Sequence, residues 1–184
     1  MTATTQTLIP AGTWTADSAH TTIGFSVKHL GISNVHGTFD EFEGTLTLDS
    51  DDLSAAKVVG VVKAASVNTG EQQRDDHLRS ADFFDVEQYP ELRFESTSIE
   101  ADDEELTITG NLTIHGVTNP ITLRGEITGT ENDPWGNERV GLEITGSLSR
   151  GDYGMKFNQA LGSGNVLVGD KVKLVLDISA VRQA

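Results

Sequence analysis

The sequence predicts an all-β domain in which short antiparallel strands curl into a closed or nearly closed barrel, with one short helix beside it. Three observations carry this expectation. Apolar residues recur with a period of two along most of the chain. Gly, Asn and Asp interrupt those stripes at short intervals. One internal segment abandons the alternation for helix-forming residues. The 184 residues suit a single domain that buries roughly two-thirds of what its unfolded chain exposes.

Taken in order, residues 1–11 read as a flexible N-terminal tail and 12–184 as the domain. Thr13–Asp17 is a short strand candidate. Ile23, Phe25 and Val27 alternate with Thr22, Gly24, Ser26 and Lys28, giving a strand with one apolar and one polar face. In Val35–Leu48 the stripe changes sides between Phe39 and Phe42, which predicts a β-bulge. Lys57–Ser66 is another short strand candidate, and within it Lys57–Ala64 is apolar at both parities, so its outer face is expected to be covered. Gly70–Ser80 is the helix. Asn68 and Glu71 resemble a capping box, Arg74, His77 and Leu78 share one face, and docking falls to Leu78 with Phe83 and Phe84.

Further strands follow at Glu91–Glu100, at the stripe Leu106, Ile108, Leu112 and Ile114, and at Ile121, Leu123 and Ile127. Leu142, Ile144 and Leu148 form another, and Val172, Leu174, Leu176 and Ile178 the last. Gly116–Pro120 reads as a turn, and Gly129–Arg139 and Gly151–Gly169 as long loops. The count is about eight or nine strands, which fits a barrel better than an open sheet.

Composition excludes several functions. With no Cys, disulfide frameworks, Cys-ligated zinc, iron–sulfur clusters and cysteine nucleophiles are removed. A net charge of −15, from 28 acids and 13 bases, argues against nucleic-acid binding and against a polybasic membrane-surface protein. No apolar stretch is long enough for an integral membrane segment, and the first ten residues lack the pattern of an export leader, so a cytoplasmic placement is expected.

Chemistry-bearing patterns are sparse. The five His residues (20, 29, 36, 77 and 115) have no ligand-pair spacing, so no metal site is expected. There is no Gly-x-Ser-x-Gly elbow, and Gly162–Gly169 lacks both the dinucleotide fingerprint and the P-loop residues. His29 and Arg150 instead extend two inward apolar stripes. They fit polar groups at the rim of a container for an amphiphile, or mark where those strands leave the core. Seven Phe, two Trp and two Tyr are few large residues with which to fill a barrel, which favours a hollow one.

Four stretches together resemble the YceI-like family of lipocalin-like, polyisoprenoid-binding proteins. They are Trp14-Thr-Ala-Asp17-Ser-Ala-His20 with Gly24-Phe25-Ser-Val27-Lys-His29, Gly37-Thr-Phe39 and Phe42-Glu-Gly44; Arg74-Asp-Asp-His77-Leu78 with Asp82-Phe83-Phe84-Asp85, Tyr89-Pro90 and Phe94-Glu-Ser96; Gly110-Asn-Leu112-Thr-Ile-His115-Gly116-Val-Thr118; and Ser149-Arg150-Gly-Asp152-Tyr153-Gly154-Met155. The last departs from the family pattern in Gly151 after the Arg and in Tyr153, where Phe is common. The resemblance implies an eight-stranded antiparallel barrel with a helix beside it and a long apolar cavity. The implied ligand is a long isoprenoid such as a polyprenyl phosphate or a prenylated quinone.

Combined with the stripes, this makes Ile23, Phe25, Val27, Phe94, Leu106, Ile108, Leu112, Leu142, Ile144 and Leu174 the expected cavity lining. His29, Arg74, His77, Arg150 and Tyr153 are the expected polar rim. A non-enzymatic carrier, store or sensor is then expected, with no cofactor beyond the lipid, and a homodimer is compatible with such a barrel. Two alternatives are an enzyme using His29 or His77 as base on a similar amphiphile, and an interaction protein whose barrel is filled by its own side chains.

Overall fold

A strand with one apolar face must bury it, and here one antiparallel sheet does so by closing on itself. The computed structural model of the protein describes residues 9–50 and 52–183. In it β1 (Gly12–Ala16), β2 (Thr22–His29), β3 (Ser33–Phe39), β4 (Phe42–Leu48), β5 (Lys57–Lys63) and β6 (Val67–Asn68) precede the helix α1 (Gln72–Arg79). The strands β7 (Glu91–Asp102), β8 (Glu105–Ile114), β9 (Val117–Asn132), β10 (Glu138–Ser149) and β11 (Val168–Arg182) follow. β1 and β2 lie end to end against β11, and β4 and β3 lie end to end against them in turn. With β5 and β7–β10 these form a closed eight-stranded antiparallel barrel, to which β6 adds a short pairing on β3.

Side-chain hydroxyls and carboxylates heal the breaks. Between β1 and β2 the Thr21 hydroxyl accepts from the Ser179 N–H at 3.1 Å and donates to the Ser179 carbonyl at 3.2 Å, standing in for a strand. The parity change expected near Phe39 is real, but it is a strand break at Asp40–Glu41 rather than a bulge. True register shifts occur between Ser96 and Ser98 of β7 and between Gly141 and Leu142 of β10. The outer valines of β5, Val59 and Val61, are half-buried, and their cross-strand partners are Glu95 and Arg93, an ion pair at 2.8 Å rather than a covering element.

Two expected irregular segments are largely strand. Of the presumed turn 116–120, only Gly116 remains outside strand, because His115 and Gly116 both take left-handed φ values (55° and 72°) and complete the reversal. The presumed loop 129–139 shrinks to residues 133–137, since Asp133 accepts from the Trp135 and Asn137 N–H groups at 2.9 Å and pulls the turn tight. Residues 154–167 do form an irregular loop. The helix begins differently from the capping box. Glu71 is the N-cap, Asn68 accepts from the Gly70 N–H instead, and buried Asp75 accepts from both the Thr69 N–H and hydroxyl.

One end of the barrel is closed by Ile9, Trp14, Leu48 and Val140, all fully buried. The Trp14 indole donates to the Pro10 carbonyl at 3.0 Å, and Arg182 donates to the Ala11 carbonyl. Residues 1–8 of the expected tail lie outside the described residues. Ile9 packs in the core, so the ordered domain reaches back beyond Gly12. Beside this plug Arg139 donates to Asp17 at 2.8 Å and to Asp133 at 2.9 Å.

Those bonds hold both carboxyls below the ordinary carboxylate range, Asp17 at about 2 through Arg139 and His20, and Asp133 through the Asn137 N–H and Arg139. A carboxylate with a lowered folded pKa stabilises the fold above its unfolded value of 3.8, and the gain fades as pH falls through the folded value. Arg139→Gln is therefore expected to lose urea resistance at pH 7, with the gap from wild type closing between about pH 4 and pH 2. A gap of equal size at both ends of that range would assign the effect to packing. Trp14→Ala should cost about 3–5 kcal/mol in the same assay. Trp135→Ala, at a position 80% exposed, should stay within about 0.5 kcal/mol of wild type.

Candidate functional site: an apolar passage from mouth to plug

Glycine keeps the middle of the barrel open. Gly44 and Gly60 oppose one another on the inner face of β4 and β5, and a Cβ on Gly60 would meet nothing nearer than the Glu43 carbonyl at 4.0 Å. Gly37 and Gly110 act the other way. The rings of Phe25 and Phe94 lie so close against them that a Cβ would collide, so both rings occupy the space that a side chain at those positions would need. The space that results is a central cavity of about 190 Å³. Its lining includes seven of the ten expected residues: Ile23, Phe25, Phe94, Ile108, Leu112, Ile144 and Leu174. Leu106 and Leu142 are instead packed in the core cluster, and Val27 lies nearer the open end.

Above the cavity is a neck of about 90 Å³, sharing Phe25, Phe39 and Leu174 with it. Phe39 forms an aromatic collar there, 5.4 Å from the Phe25 ring and 5.6 Å from Phe84. Leu78 and Phe83 also line the neck, so the helix docks through the residues expected of it. The neck shares Phe25, Val27, Leu78, Phe83 and Val168 with a mouth of about 330 Å³. The three lobes follow one another from the centre of the barrel to its open end, divided by the side chains they share, Phe25 among them.

The expected rim residues separate into three places. His29, Arg74 and His77 do gather at the mouth. The His77 ring is held edge-on against Phe83 (5.0 Å) and Phe157 (4.8 Å) and bonds through Nε2 to Asp82 at 2.9 Å. Arg74 spends Nε and Nη2 on the Thr69 hydroxyl and carbonyl. Arg150 lies below the rim, 5% exposed, in the neck. Its guanidinium donates to the carbonyls of Gly169 and Met155 at 2.8 Å and of Val168 at 3.3 Å, and sits 5.8 Å from the Phe83 ring centre. Burial pulls its pKa down, opposed by Asp170, so it is a buried cation solvated by main-chain carbonyls. Tyr153 is buried elsewhere, with Ile114 and Met155, and burial pushes its hydroxyl up.

Tyr153 borders a side recess that the sequence did not announce. β9 and β10 pair only as far as Arg124 opposite Thr145, and Pro120, which has no N–H to give a central ladder, stands in the unpaired stretch. Asn119 bridges the gap by donating to the Asp152 carbonyl at 2.9 Å. Ile121 and Leu148 form a wall common to this recess and the central cavity. Phe157, Gln73 and Leu167 of the mouth were also missed. Phe157 and Leu167 sit in an aperiodic loop where no stripe could flag them, and Gln73 is an ordinary helix-surface residue by sequence.

His29 and His77 share the mouth, and the other three His residues lie apart from it. His20 pairs with Asp17, His36 faces solvent on β3, and His115 bonds to the Tyr153 carbonyl. Among the described residues no three His, Asp or Glu side chains converge as metal ligands would. No helix among them is long and apolar enough to cross a membrane.

Comparison with known proteins agrees with this architecture. Protein YceI of Escherichia coli O157:H7 is 40% identical over 167 residues, covering 91% of this chain and 84% of that one. The crystal structure of the Campylobacter jejuni YCEI protein is 36% identical, with a TM-score of 0.70 over 91% of this chain and 96% of that one. A polyisoprenoid binding domain from Saccharophagus degradans, implicated in plant cell wall breakdown, shares the fold at 14% identity, with a TM-score of 0.70 over 92% and 98% of the two chains. The YceI-like domain model matches residues 14–180, the span from the plugging Trp14 to the closing end of β11, and the chain belongs to the YceI-like family.

Proposed function

We propose that the protein binds a long-chain isoprenoid lipid, such as a polyprenyl phosphate or a prenylated quinone, without transforming it. The chain would act as its carrier, store or sensor. The observation that carries this reading is the row of apolar lobes inside the barrel, with polar side chains gathered at its outer end. Each methylene-sized group buried along it contributes about 0.8 kcal/mol, so affinity grows with tail length. The Phe25–Phe39–Phe84 collar offers flat faces to the planar, trisubstituted double bonds of an isoprenoid. At the mouth His29, Arg74 and His77, joined by Lys28 and Gln73, suit a phosphate or a quinone carbonyl. The fold shared with a domain described as polyisoprenoid-binding supports the same ligand class.

Mass spectrometry of freshly purified protein, native and after organic extraction, is expected to show a stoichiometric isoprenoid. Protein that stays bare when offered polyprenyl lipids would overturn the reading. Gly60→Leu should place a side chain in the cavity from a position whose Cβ meets nothing nearer than 4.0 Å, so lipid per protein should fall while thermal stability holds. An undiminished load would remove the central cavity from the site. Arg74→Gln combined with His77→Gln should weaken binding of a polyprenyl phosphate about tenfold, the scale of a hydrogen bond to a charged group, and leave the parent alcohol nearly unchanged. Lipid recovered after long incubation should be chemically intact; conversion that His29→Ala abolishes would establish the enzymatic alternative.

A further inference from the structure

The net charge of −15 is unevenly placed. At the plugged end the β7–β8 turn reads Asp102-Asp103-Glu104-Glu105, and the β9–β10 turn adds Asp133 and Glu138. Two of the bases there, Arg139 and Arg182, are already ion-paired. The mouth differs. Among the described residues no carboxylate lies within ion-pairing reach of Lys28, Arg74 or Lys156. The acids close by are mostly committed: Asp82 to His77, Asp76 to Arg79, Asp75 to Thr69, and Asp170 to Ser149 and the Gly151 N–H. Glu71, Asp85, Glu87 and Asp152 also stand at this end, and the bonds of Asp75 and Asp170 to neutral partners leave their charges in place. The two lip segments 28–39 and 153–169, by contrast, hold Lys28 and Lys156 and no acid. The lip is therefore a locally basic strip on an otherwise acidic molecule.

The lip of the mouth is also apolar. The β2–β3 turn, Leu30-Gly31-Ile32, is tied to the facing loop by the Leu30 N–H donating to the Leu167 carbonyl at 3.0 Å. Ile32 is 78% exposed on one side of this joint, and Val166 is 41% exposed on the other. His29, three residues before Ile32, and Leu167, next to Val166, line the mouth. Two branched aliphatics thus project into water where the cavity opens, close to unpaired basic groups, although the composition as a whole is that of a protein repelled by anionic surfaces.

We propose that this lip is a docking surface for an anionic lipid bilayer, which the protein meets mouth first. Ile32 and Val166 enter the interface, Lys28 and Lys156 face the lipid phosphates, and the acidic plug is turned away. The contact is weak and reversible, because two aliphatics and a few lysines fall well short of an anchor. It is also salt-sensitive, since exposed charges are screened over about 10 Å at 0.1 M salt. The docking concerns where the protein touches a membrane, and its test needs no bound ligand. Its purpose, passing a lipid between bilayer and cavity without exposing the tail to water, rests on the function proposed above.

The test is flotation of the whole chain with phosphatidylcholine–phosphatidylglycerol vesicles at low salt. Wild type is expected to float with these, to be released by added salt, and to float less with pure phosphatidylcholine. The double variant Ile32→Asp/Val166→Asp should lose vesicle affinity by about tenfold or more, and Lys156→Glu should lose part of it. Trp135→Ala, at the plugged end, should float like wild type. Wild type that does not float, a double variant that floats equally well, or equal flotation on neutral vesicles would overturn the proposal. Uptake of a polyprenol from detergent solution separates the two readings. A double variant that loads normally from detergent but slowly from vesicles supports docking with an intact cavity. Failure of wild type to load from detergent would count against the cavity reading alone, and flotation would still decide the docking.

Discussion

Closure of the sheet at Trp14 is the constraint on which the rest of the molecule depends. Trp14 is paired on one side with Leu46 of β4 and on the other with Arg182 of β11, so a single residue joins the two margins of the sheet. Its indole is fully buried and bonded to the chain just before it, which fixes the floor of the barrel. With the floor fixed and the register set, each stripe two residues apart must face the same enclosed volume. The shape of that volume then follows from which inward positions carry rings and which carry glycine.

Much of this was legible in the sequence because the period of two has one physical cause. Ile23, Phe25, Ile108, Leu112, Ile144 and Leu174 point inward for the same steric reason that makes them alternate with polar residues. What the pattern lacked was depth. Leu106 and Leu142 belong to stripes as clear as the others, yet they lie at the packed end, and alternation reports which side a residue faces rather than how far along the barrel it sits. Strand ends differ from the expectation where a side chain substitutes for ladder bonds, as Asp133 does, because such bonds have no periodic signature. Arg150 followed its stripe's parity, but a 3₁₀ turn carried it below the rim into a cage of carbonyls. The mouth depends on Phe157 and Leu167 from an aperiodic loop, and could only be found by folding the chain.

The polar and apolar chemistry of the passage is graded rather than mixed. Aliphatic side chains and Trp14 close the floor, the collar is aromatic, and hydrogen-bonding groups gather outside the collar. The one cation admitted to the neck, Arg150, has its donors turned to main-chain carbonyls, so it stiffens the junction of β10 and β11 without making the interior polar. A gradient of this kind orients any amphiphile by desolvation cost alone, since a head group pushed inward would lose water and gain few partners.

The hollow at Gly44 and Gly60 also has a volumetric consequence. Internal space of about 190 Å³ vanishes when the chain unfolds, so the unfolded state occupies less volume with its solvent than the folded one. Hydrostatic pressure therefore acts against this barrel more strongly than against a packed domain of equal size. A hydrocarbon tail that fills the passage removes that volume difference, and with it the mechanical penalty of having been built around a space.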